Sequence, residues 1–355
     1  MAYQPKKRKS CRGRFRYLRG VIVVALIVIP LSASAGTATG SPEIAWEADV
    51  HSAAAPPVYY DGTVIIASAD KYLRAFDGEG GDRLWDVRFK APLTFAPAAA
   101  DGRVYVTVLY PENKLFCLDA VKGKRLWSAE LDDHATAPAA VPGGVVVGSG
   151  DFAVLFGLDG TLIEKVRTDT TVDDVYRAAE GILLVYVTGE VALYDGGLEN
   201  IKTRTDLGPG RSCPLPLDGG ILFTRYEGEA VMTDENLDVV WGLGLPGRVA
   251  SPAVRWDDGY LMSYLGGGVV RLSAEGEVEW SASLGANVRR APVITDDKAF
   301  ALTETGVLYA IDIDGSAVEF AGLDFKSTCG LLYYDGRLLA IDDDGKVSVY
   351  LVGND

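Results

Sequence analysis

The sequence predicts an all-β fold: an eight-bladed β-propeller of four-stranded antiparallel blades, closed by pairing of the N- and C-terminal strands. Three observations support this prediction. Tryptophans recur with one phase of a period near 39 residues, a turn signal keeps the same period, and each chain end carries an incomplete unit. A fixed period of this length is typical of folds that repeat one small supersecondary unit.

Tryptophan marks one position of the repeat. The first five repeat tryptophans are separated by 39, 42, 114 and 39 residues, and a phenylalanine follows 40 residues after the last. The gap of 114 residues holds two units that have lost the tryptophan, near Val166 and Arg204. We therefore predict that six aromatic side chains dock between neighbouring blades, because a large buried ring contributes a large apolar area. They are Trp46, Trp85, Trp127, Trp241, Trp280 and Phe320.

A turn signal recurs with the same period. An Asp-Gly pair between apolar runs favours a tight hairpin, because both residues tolerate positive φ. The eight turn pairs are Asp61-Gly62, Asp101-Gly102, Pro142-Gly143, Glu180-Gly181, Asp218-Gly219, Asp258-Gly259, Asp296-Asp297 and Asp335-Gly336.

Four short strands surround each turn signal. A short strand precedes the turn, a β-branched or aromatic strand follows it, a third strand comes next, and the fourth carries the tryptophan. Four short antiparallel strands in one repeat form a propeller blade. The predicted blades with continuous chain span residues 55–89, 93–131, 135–168, 174–207, 211–245, 249–284 and 288–323.

The chain ends complete one another. Residues 328–352 contain three strands and no tryptophan strand, whereas residues 43–47 are a tryptophan strand with no unit before it. Together they make an eighth blade, which leaves no exposed gap in the ring.

The first 35 residues have the pattern of an export signal. Eight basic residues precede an apolar run over residues 21–29, and Ala33, Ser34 and Ala35 supply small residues for cleavage. The run is too short to span a bilayer comfortably. We predict a signal peptide over residues 1–35, a propeller domain over residues 36–355, and a periplasmic or extracellular location. Retention of the segment as an N-terminal anchor is the alternative.

Charge excludes one class of partner. Removal of residues 1–35 leaves 26 basic against 49 acidic residues, a net charge of −23. Such a surface repels nucleic acid and anionic lipid headgroups. The sequence therefore predicts no nucleic-acid partner, no integral membrane segment after signal cleavage, and a monomer.

Two units carry a specific motif. Ala75, Asp77, Gly81 and Trp85 are spaced as A-x-D-x-x-x-G-x-x-x-W, and residues 117–127 repeat the spacing with cysteine in the first place. This motif resembles the repeat of the PQQ-like propeller family. The resemblance implies that each tryptophan lies between blades, against the turn glycine of the next motif.

The resemblance implies two functional classes. Quinoprotein dehydrogenases of the family use pyrroloquinoline quinone with calcium, an aspartate base and, in most cases, a disulfide between adjacent cysteines. Here Cys117, Cys213 and Cys329 are far apart and the loops are minimal. Length and short loops resemble the non-enzymatic group typified by the outer-membrane assembly factor BamB. This group implies a scaffold that binds a protein partner in the cell envelope, so we predict no enzymatic activity, no cofactor and no catalytic or metal-binding residue.

Basic residues concentrate in the loops that enter the later units. Propeller geometry places these loops on one face, around the mouth of the central channel. They form a candidate interaction rim, whose members are Arg211, Arg248, Arg289, Arg290 and Lys326. The alternative is local ion pairing with the acidic residues Glu190, Glu227, Glu304, Asp342 and Asp344 of neighbouring loops.

Two further functions stay open. Aromatic residues near the same face are compatible with a sensor that binds a sugar or another small ligand; they are Phe95, Tyr110, Tyr176, Tyr226 and Tyr264. The remaining alternative is a quinone-dependent dehydrogenase. The two histidines, His51 and His134, fall in loops and are interpreted as solvated side chains.

Overall fold

A computed structural model describes residues 42–52, 55–132, 134–323 and 329–352. These residues form eight four-stranded antiparallel sheets, and this part of the chain contains no helix. The predicted eight-bladed propeller is therefore confirmed. The predicted signal peptide lies outside the described residues.

The strands follow one another as the repeat predicts. The first half of the chain contains β1 (Ile44–Asp49), β2 (Val58–Tyr60), β3 (Thr63–Ala67), β4 (Tyr72–Asp77), β5 (Arg83–Arg88), β6 (Ala98–Ala100), β7 (Arg103–Val108), β8 (Lys114–Asp119), β9 (Arg125–Glu130), β10 (Ala139–Val141), β11 (Gly144–Ser149), β12 (Phe152–Gly157), β13 (Leu162–Arg167), β14 (Val172–Ala178), β15 (Gly181–Tyr186), β16 (Glu190–Tyr194) and β17 (Ile201–Asp206). The second half contains β18 (Ser212–Leu217), β19 (Gly220–Arg225), β20 (Glu229–Asp234), β21 (Val239–Gly244), β22 (Val254–Trp256), β23 (Gly259–Tyr264), β24 (Gly268–Leu272), β25 (Val278–Ser283), β26 (Val293–Ile294), β27 (Ala299–Leu302), β28 (Val307–Ile311), β29 (Ala317–Gly322), β30 (Leu331–Tyr334), β31 (Arg337–Ile341) and β32 (Lys346–Leu351).

Each of blades 1 to 7 consists of four sequential strands, from an innermost first strand to an outermost fourth strand. Blade 1 is β2–β5, blade 2 is β6–β9, and so on to blade 7, β26–β29. Because the strands are antiparallel, the turns after the first and third strands lie on one face, here called the turn face. The loop after the second strand and the loop into the next blade lie on the opposite face, here called the loop face.

Blade 8 joins the two chain ends. Its strand order is β1-β32-β31-β30, with Ile44 opposite Tyr350 and Asp49 opposite Lys346. The amide of Val50 also donates to the carbonyl of Gly345 at 2.8 Å. The N-terminal strand therefore supplies the outer strand of the last blade, as the incomplete units predict.

The hairpin turns differ from the prediction in blades 4 and 6. Asp61-Gly62, Asp101-Gly102 and Asp335-Gly336 have positive φ at both central positions, as a type I′ turn requires. In the other two blades the central pairs are Ala179-Glu180 and Asp257-Asp258, one residue earlier than predicted.

The glycines predicted for these two turns are required for a different structural reason. Gly181 and Gly259 open the next strand, where a Cβ would lie 1.9 Å from the carbonyl oxygen of Tyr194 and 2.3 Å from that of Leu272. Close approach of two strands therefore selects glycine at both positions, and at Gly181 the φ of 151° favours glycine as well.

The core lies between blades. Apolar clusters combine the facing sides of neighbouring sheets, such as Val141 and Val146 of blade 3 with Val175 and Leu184 of blade 4. The second and third strands are buried on both sides, and for this reason they read as nearly continuous apolar runs.

Five indole rings lie at these junctions against a glycine of the next blade. A Cβ built on Gly81, Gly123, Gly160, Gly276 or Gly315 would lie 2.5–2.7 Å from the ring of Trp46, Trp85, Trp127, Trp241 or Trp280, respectively. Each indole N–H also donates to a turn carbonyl of that next blade, for example from Trp85 to Ala120 at 3.0 Å. The ring thus packs on the next blade and forms a hydrogen bond with it.

The two units without tryptophan are compensated by leucine. The strand register places Glu164 and Thr203 at the tryptophan position, close to the positions predicted near Val166 and Arg204 but offset from them by two residues and one residue. The offset arises because turn lengths vary between repeats.

In the blades that follow, Leu198 and Leu237 occupy the place of the docking glycine. Both have positive φ, 63° and 61°, and both are fully or almost fully buried, at 0% and 1% exposed. Each belongs to the apolar cluster of its junction. The loss of a large ring on one blade is therefore matched by a larger side chain on the next.

Phe320 docks differently. Its ring meets those of Phe300 and Tyr350 edge to face, with centroids 5.1 and 5.9 Å apart. In blade 8 the third and fourth strands come from opposite chain ends, so no turn glycine is available for an indole.

Candidate functional site

The loops of the loop face are held by buried hydrogen bonds. Ser68 Oγ lies 2.8 Å from the carbonyl oxygens of both Val50 and Ser52, which share its one proton, and Ser263 Oγ donates to the carbonyl of Arg290 at 2.9 Å. The carbonyl of Arg248 likewise accepts the amide of Leu265 at 2.7 Å. The backbone that carries the predicted rim is therefore fixed.

The structure brings four rim residues to successive loops on this face. Arg211, Arg248 and Arg289 are exposed, whereas Arg290 is half-buried. Lys326 lies outside the described residues.

Local partners neutralise part of the rim. Arg289 Nε lies 2.9 Å from Glu304 Oε2, a pairing that matches the sequence-based alternative. Arg211 Nε lies 3.8 Å from Asp173 Oδ2, an acid outside the predicted set. Exposed pairs of this kind contribute about 0–1 kcal/mol each, so these ion pairs stabilise the loops weakly.

The remaining acids of the predicted pairing face elsewhere. Glu190 pairs with Arg204 at 2.5 Å, and the buried Asp342 accepts the amide of Lys346 at 2.8 Å. Asp344 and Glu227 form no ion pair within 4 Å among the described residues. The predicted acidic residues therefore neutralise only part of the positive charge of the rim.

Arg248 stacks on an aromatic ring. Its guanidinium carbon lies 5.4 Å from the ring centroid of Tyr226, a half-exposed side chain in the loop after β19. Such a pair offers a flat surface with both charge and aromatic character, typical of protein interfaces. Tyr110 is 81% exposed in the equivalent loop of blade 2, whereas Tyr264 packs closely over Gly247 and Gly268.

A polar cluster lines the channel between blades 4 and 5. The phenol of Tyr176 donates to Asp174 Oδ2 at 2.7 Å, and Cys213 lies on the adjacent innermost strand β18. Burial raises the pKa of the Asp174 carboxyl, although bonds from Tyr176 and Val175 and the charge of Arg211 oppose the shift. Sequence reasoning singled out Tyr176 alone, because nothing in the repeat shows which side chains of the innermost strands face each other.

The thiol of Cys213 shares this environment. Burial raises its pKa, and the positive charges of Arg211 and Arg290 partly counter that effect. The neighbouring hydroxyl of Ser212 is buried and has no hydrogen-bond partner among the described residues. The cluster therefore combines a carboxyl, a phenol, a thiol and two guanidinium groups at the mouth of the channel.

The raised pKa of Asp174 predicts a pH effect on stability. A carboxyl whose pKa is higher in the folded than in the unfolded state favours folding when protonated, so stability falls as pH rises from the unfolded pKa through the folded pKa. We expect Asp174→Asn to raise the unfolding temperature at pH 7 and to flatten its decline above about pH 4. Thermal melts from pH 4 to 8 measure this. A decline that persists unchanged in the variant would contradict it.

The residues present do not fit a quinone and calcium site. Among the described residues, Cys117, Cys213 and Cys329 form no disulfide, and Cys117 and Cys329 are buried in junctions between blades. Within the described ranges, no three His, Cys, Asp or Glu side chains lie close enough together to hold a metal ion. The exposed His51 instead contacts Asp49, with Nδ1 3.2 Å from Oδ1. We derive no cofactor chemistry from these residues.

Across the described residues, helices of the length and apolarity needed to cross a bilayer do not occur.

Closed blades, docked indoles and the repeated motif define the chain as a PQQ-like eight-bladed propeller. The sequence profile of the family described as "Outer membrane protein assembly factor BamB" matches residues 34–180 and 187–349. The chain belongs to this family.

Curated relatives match a smaller part of the chain. A quinohemoprotein alcohol dehydrogenase of Pseudomonas putida is 29% identical over 127 residues, which is 30% of this chain and 18% of that protein. A cytochrome c-linked 1-butanol dehydrogenase of Thauera butanivorans is 28% identical over 138 residues, 33% of this chain and 19% of that protein. The chain thus spans about a fifth of the length of these relatives.

Solved structures share the fold. BamB from Moraxella catarrhalis has a TM-score of 0.71 at 16% identity, covering 88% of this chain and 98% of that one. The designed protein Ika8 has a TM-score of 0.74 at 16% identity, and the match covers 88% of this chain and 100% of that one. Sqt1 from Saccharomyces cerevisiae has a TM-score of 0.75 at 10% identity, and the match covers 89% of this chain and 100% of that one. Identities this low establish the architecture and nothing more.

Proposed function

We propose that the protein is a non-catalytic, exported scaffold that binds a protein partner in the cell envelope through its loop face. One observation carries the proposal: almost all of the described residues lie in blade strands or in the short connections between them. The longest connections in the part that the structure describes are residues 89–97, 245–253 and 284–292. A propeller with such short, fixed loops presents a broad rigid surface and has little chain with which to enclose a substrate. The family match supports the same class.

Arg248 and Arg289 are the side chains that we assign to partner contact. Both side chains are exposed, and buried hydrogen bonds fix the backbone of their loops. Arginine is enriched at interfaces because its planar guanidinium group forms several hydrogen bonds and stacks on aromatic rings. The Arg248–Tyr226 pair supplies such a contact without rearrangement.

A second candidate is binding of a small polar ligand at the channel mouth. The specific observation that favours it is the cluster of Asp174, Tyr176 and Cys213. The adjacent Ser212 has a buried hydroxyl with no hydrogen-bond partner in the part of the chain that the structure describes. The similarity to dehydrogenases favours an enzyme, but the three separate cysteines do not fit that group's cofactor site.

Charge reversal tests the scaffold proposal. In Arg248→Glu/Arg289→Glu we expect at least a tenfold loss of crosslinking to the partner in intact cells, because two interface cations are replaced by repelling charges. Unfolding temperature should change by less than about 2 °C, since exposed ion pairs contribute little.

A matched control places the same charges elsewhere. Arg83→Glu/Arg125→Glu alters two exposed arginines of outer strands in blades 1 and 2 and should leave crosslinking intact. Equal crosslinking by the rim variant and the wild type would refute the assignment.

A further inference from the structure

The outer strand of blade 5 differs from the other seven. β21 has the sequence VVWGLG and contains no charged residue, whereas every other outer strand carries at least one. An outer strand leaves alternate N–H and C=O groups unpaired, and natural proteins protect such edges with charges or proline. β21 lacks this protection.

The backbone of β21 is also uncovered. Val239 and Val240 are 60% and 62% exposed. A Cβ on Gly244 would meet no atom within 4 Å, and one on Gly242 only the carbonyl oxygen of Ala230 at 3.9 Å. β21 pairs with β20 on its inner side and ends its sheet. Another extended chain therefore has free access to this edge.

A cleft opens beside the strand on the turn face, between blades 5 and 6. Its volume is about 270 Å³, and Val240 forms part of its wall together with Leu217 and Met232. Tyr260 of the neighbouring blade also lines the cleft. The cleft therefore combines apolar walls with an aromatic surface.

The charges of the cleft are predominantly negative. Three carboxylates line it, from Asp218, Asp234 and Asp258, against the one guanidinium of Arg255. Asp258 is partly neutralised by the buried Arg271 at 2.9 Å, which leaves two carboxylates against Arg255. Burial raises the pKa of Tyr260; the positive charge of Arg255 opposes this shift, and the negative charge of Glu275 adds to it. A basic side chain matches this cleft in charge, and its aliphatic stem matches the apolar walls.

We propose that β21 and this cleft form a docking site for an extended segment of a partner protein, which pairs with β21 as a fifth strand and inserts a lysine or arginine side chain into the cleft. Main-chain hydrogen bonds to a free edge provide affinity, and a side-chain pocket beside the edge provides specificity. The site deepens the proposed scaffold function, on which it rests, and it is separate from the rim on the loop face.

The test uses a phage-displayed random dodecapeptide library selected on the purified protein. We expect enriched peptides with one basic residue among β-branched or apolar residues, and a synthetic copy that binds in fluorescence anisotropy. Backbone N-methylation of the copy, or glutamate in place of its basic residue, should weaken binding at least tenfold. Enrichment without a basic residue, or an N-methylated peptide that binds equally well, would overturn the proposal.

Matched variants locate the site. Val239→Lys should weaken binding at least tenfold, whereas Val278→Lys, the same first position of the outer strand in blade 6, should not. Asp218→Asn should weaken binding, and Asp101→Asn, in the same turn position of blade 2, should not. Equal losses in both members of a pair would overturn the assignment.

Two outcomes separate this site from other possibilities. Concentration-dependent dimerisation that Val239→Lys abolishes would assign β21 to a second copy of this chain and overturn the proposal. If the library yields no β21-dependent peptide while the Arg248→Glu/Arg289→Glu variant loses its cellular partner, the docking site fails and the scaffold function stands.

Discussion

Leu198→Ala is expected to lower the free energy of unfolding by about 3 kcal/mol, within the usual range for truncating a buried leucine. Leu198 is fully buried at the junction of blades 3 and 4, where its side chain occupies space that an indole fills elsewhere. Alanine leaves that space empty. The positive φ costs roughly 1–2 kcal/mol for any residue with a Cβ, so this strain is the same in both proteins and does not add to the loss. Urea denaturation followed by tryptophan fluorescence measures the loss.

A compensating double variant tests the reason for this loss. Leu198→Gly together with Glu164→Trp restores the arrangement seen at the other junctions, with an indole on one blade and a glycine on the next. Because glycine adopts φ of 63° without strain, we expect the double variant to recover most of the stability that Leu198→Gly alone removes.

The matched control is Leu84→Ala. Leu84 is 50% exposed on the outer strand β5, so its truncation should change stability by less than about 1 kcal/mol. A double variant no more stable than Leu198→Gly would show that leucine and indole do not occupy the same space, and it would contradict the exchange inferred here.

The fold was predictable because its determinants repeat. The period of the aromatic residues and the turn pairs reflect physical requirements that recur from blade to blade, so weak signals from eight repeats reinforce one another. The incomplete units at the two chain ends then indicate how the ring closes. The compensating leucines were not predictable in the same way. Leu198 and Leu237 each lie 34 residues after the position they complement, Glu164 and Thr203, and in both pairs the two positions depart from the motif. Only the register between strands shows that the two departures belong together.

The candidate sites were less predictable because they depend on contacts between blades. The sequence placed the rim arginines on one face, but it did not show that Arg211 pairs with Asp173 or that Arg248 stacks on Tyr226. The cleft between blades 5 and 6 combines turns from two sheets, and no single repeat contains its lining. The side chains of these candidate sites therefore lie where the repeat gives the least information.

Trp46→Ala is expected to cost about 4 kcal/mol, more than the same change at Trp241. The indole of Trp46 is 6% exposed, packs against Gly81 and donates to the carbonyl of Gly78 at 3.1 Å. It also anchors β1, which no turn connects to β32. Ring closure therefore depends on β1 remaining bound, since its release exposes a free edge and opens the junction with blade 1.

Hydrogen exchange distinguishes lost packing from lost closure. Trp241 is half-buried within a blade whose four strands are continuous, so its truncation should cost about 2 kcal/mol and leave exchange in β32 unchanged. In Trp46→Ala, amides of β32 opposite β1 should exchange at least tenfold faster under native conditions, because the pairing opens without global unfolding. Equal protection of β32 in both variants would mean that strand pairing alone holds the ring closed and that the indole contributes only packing.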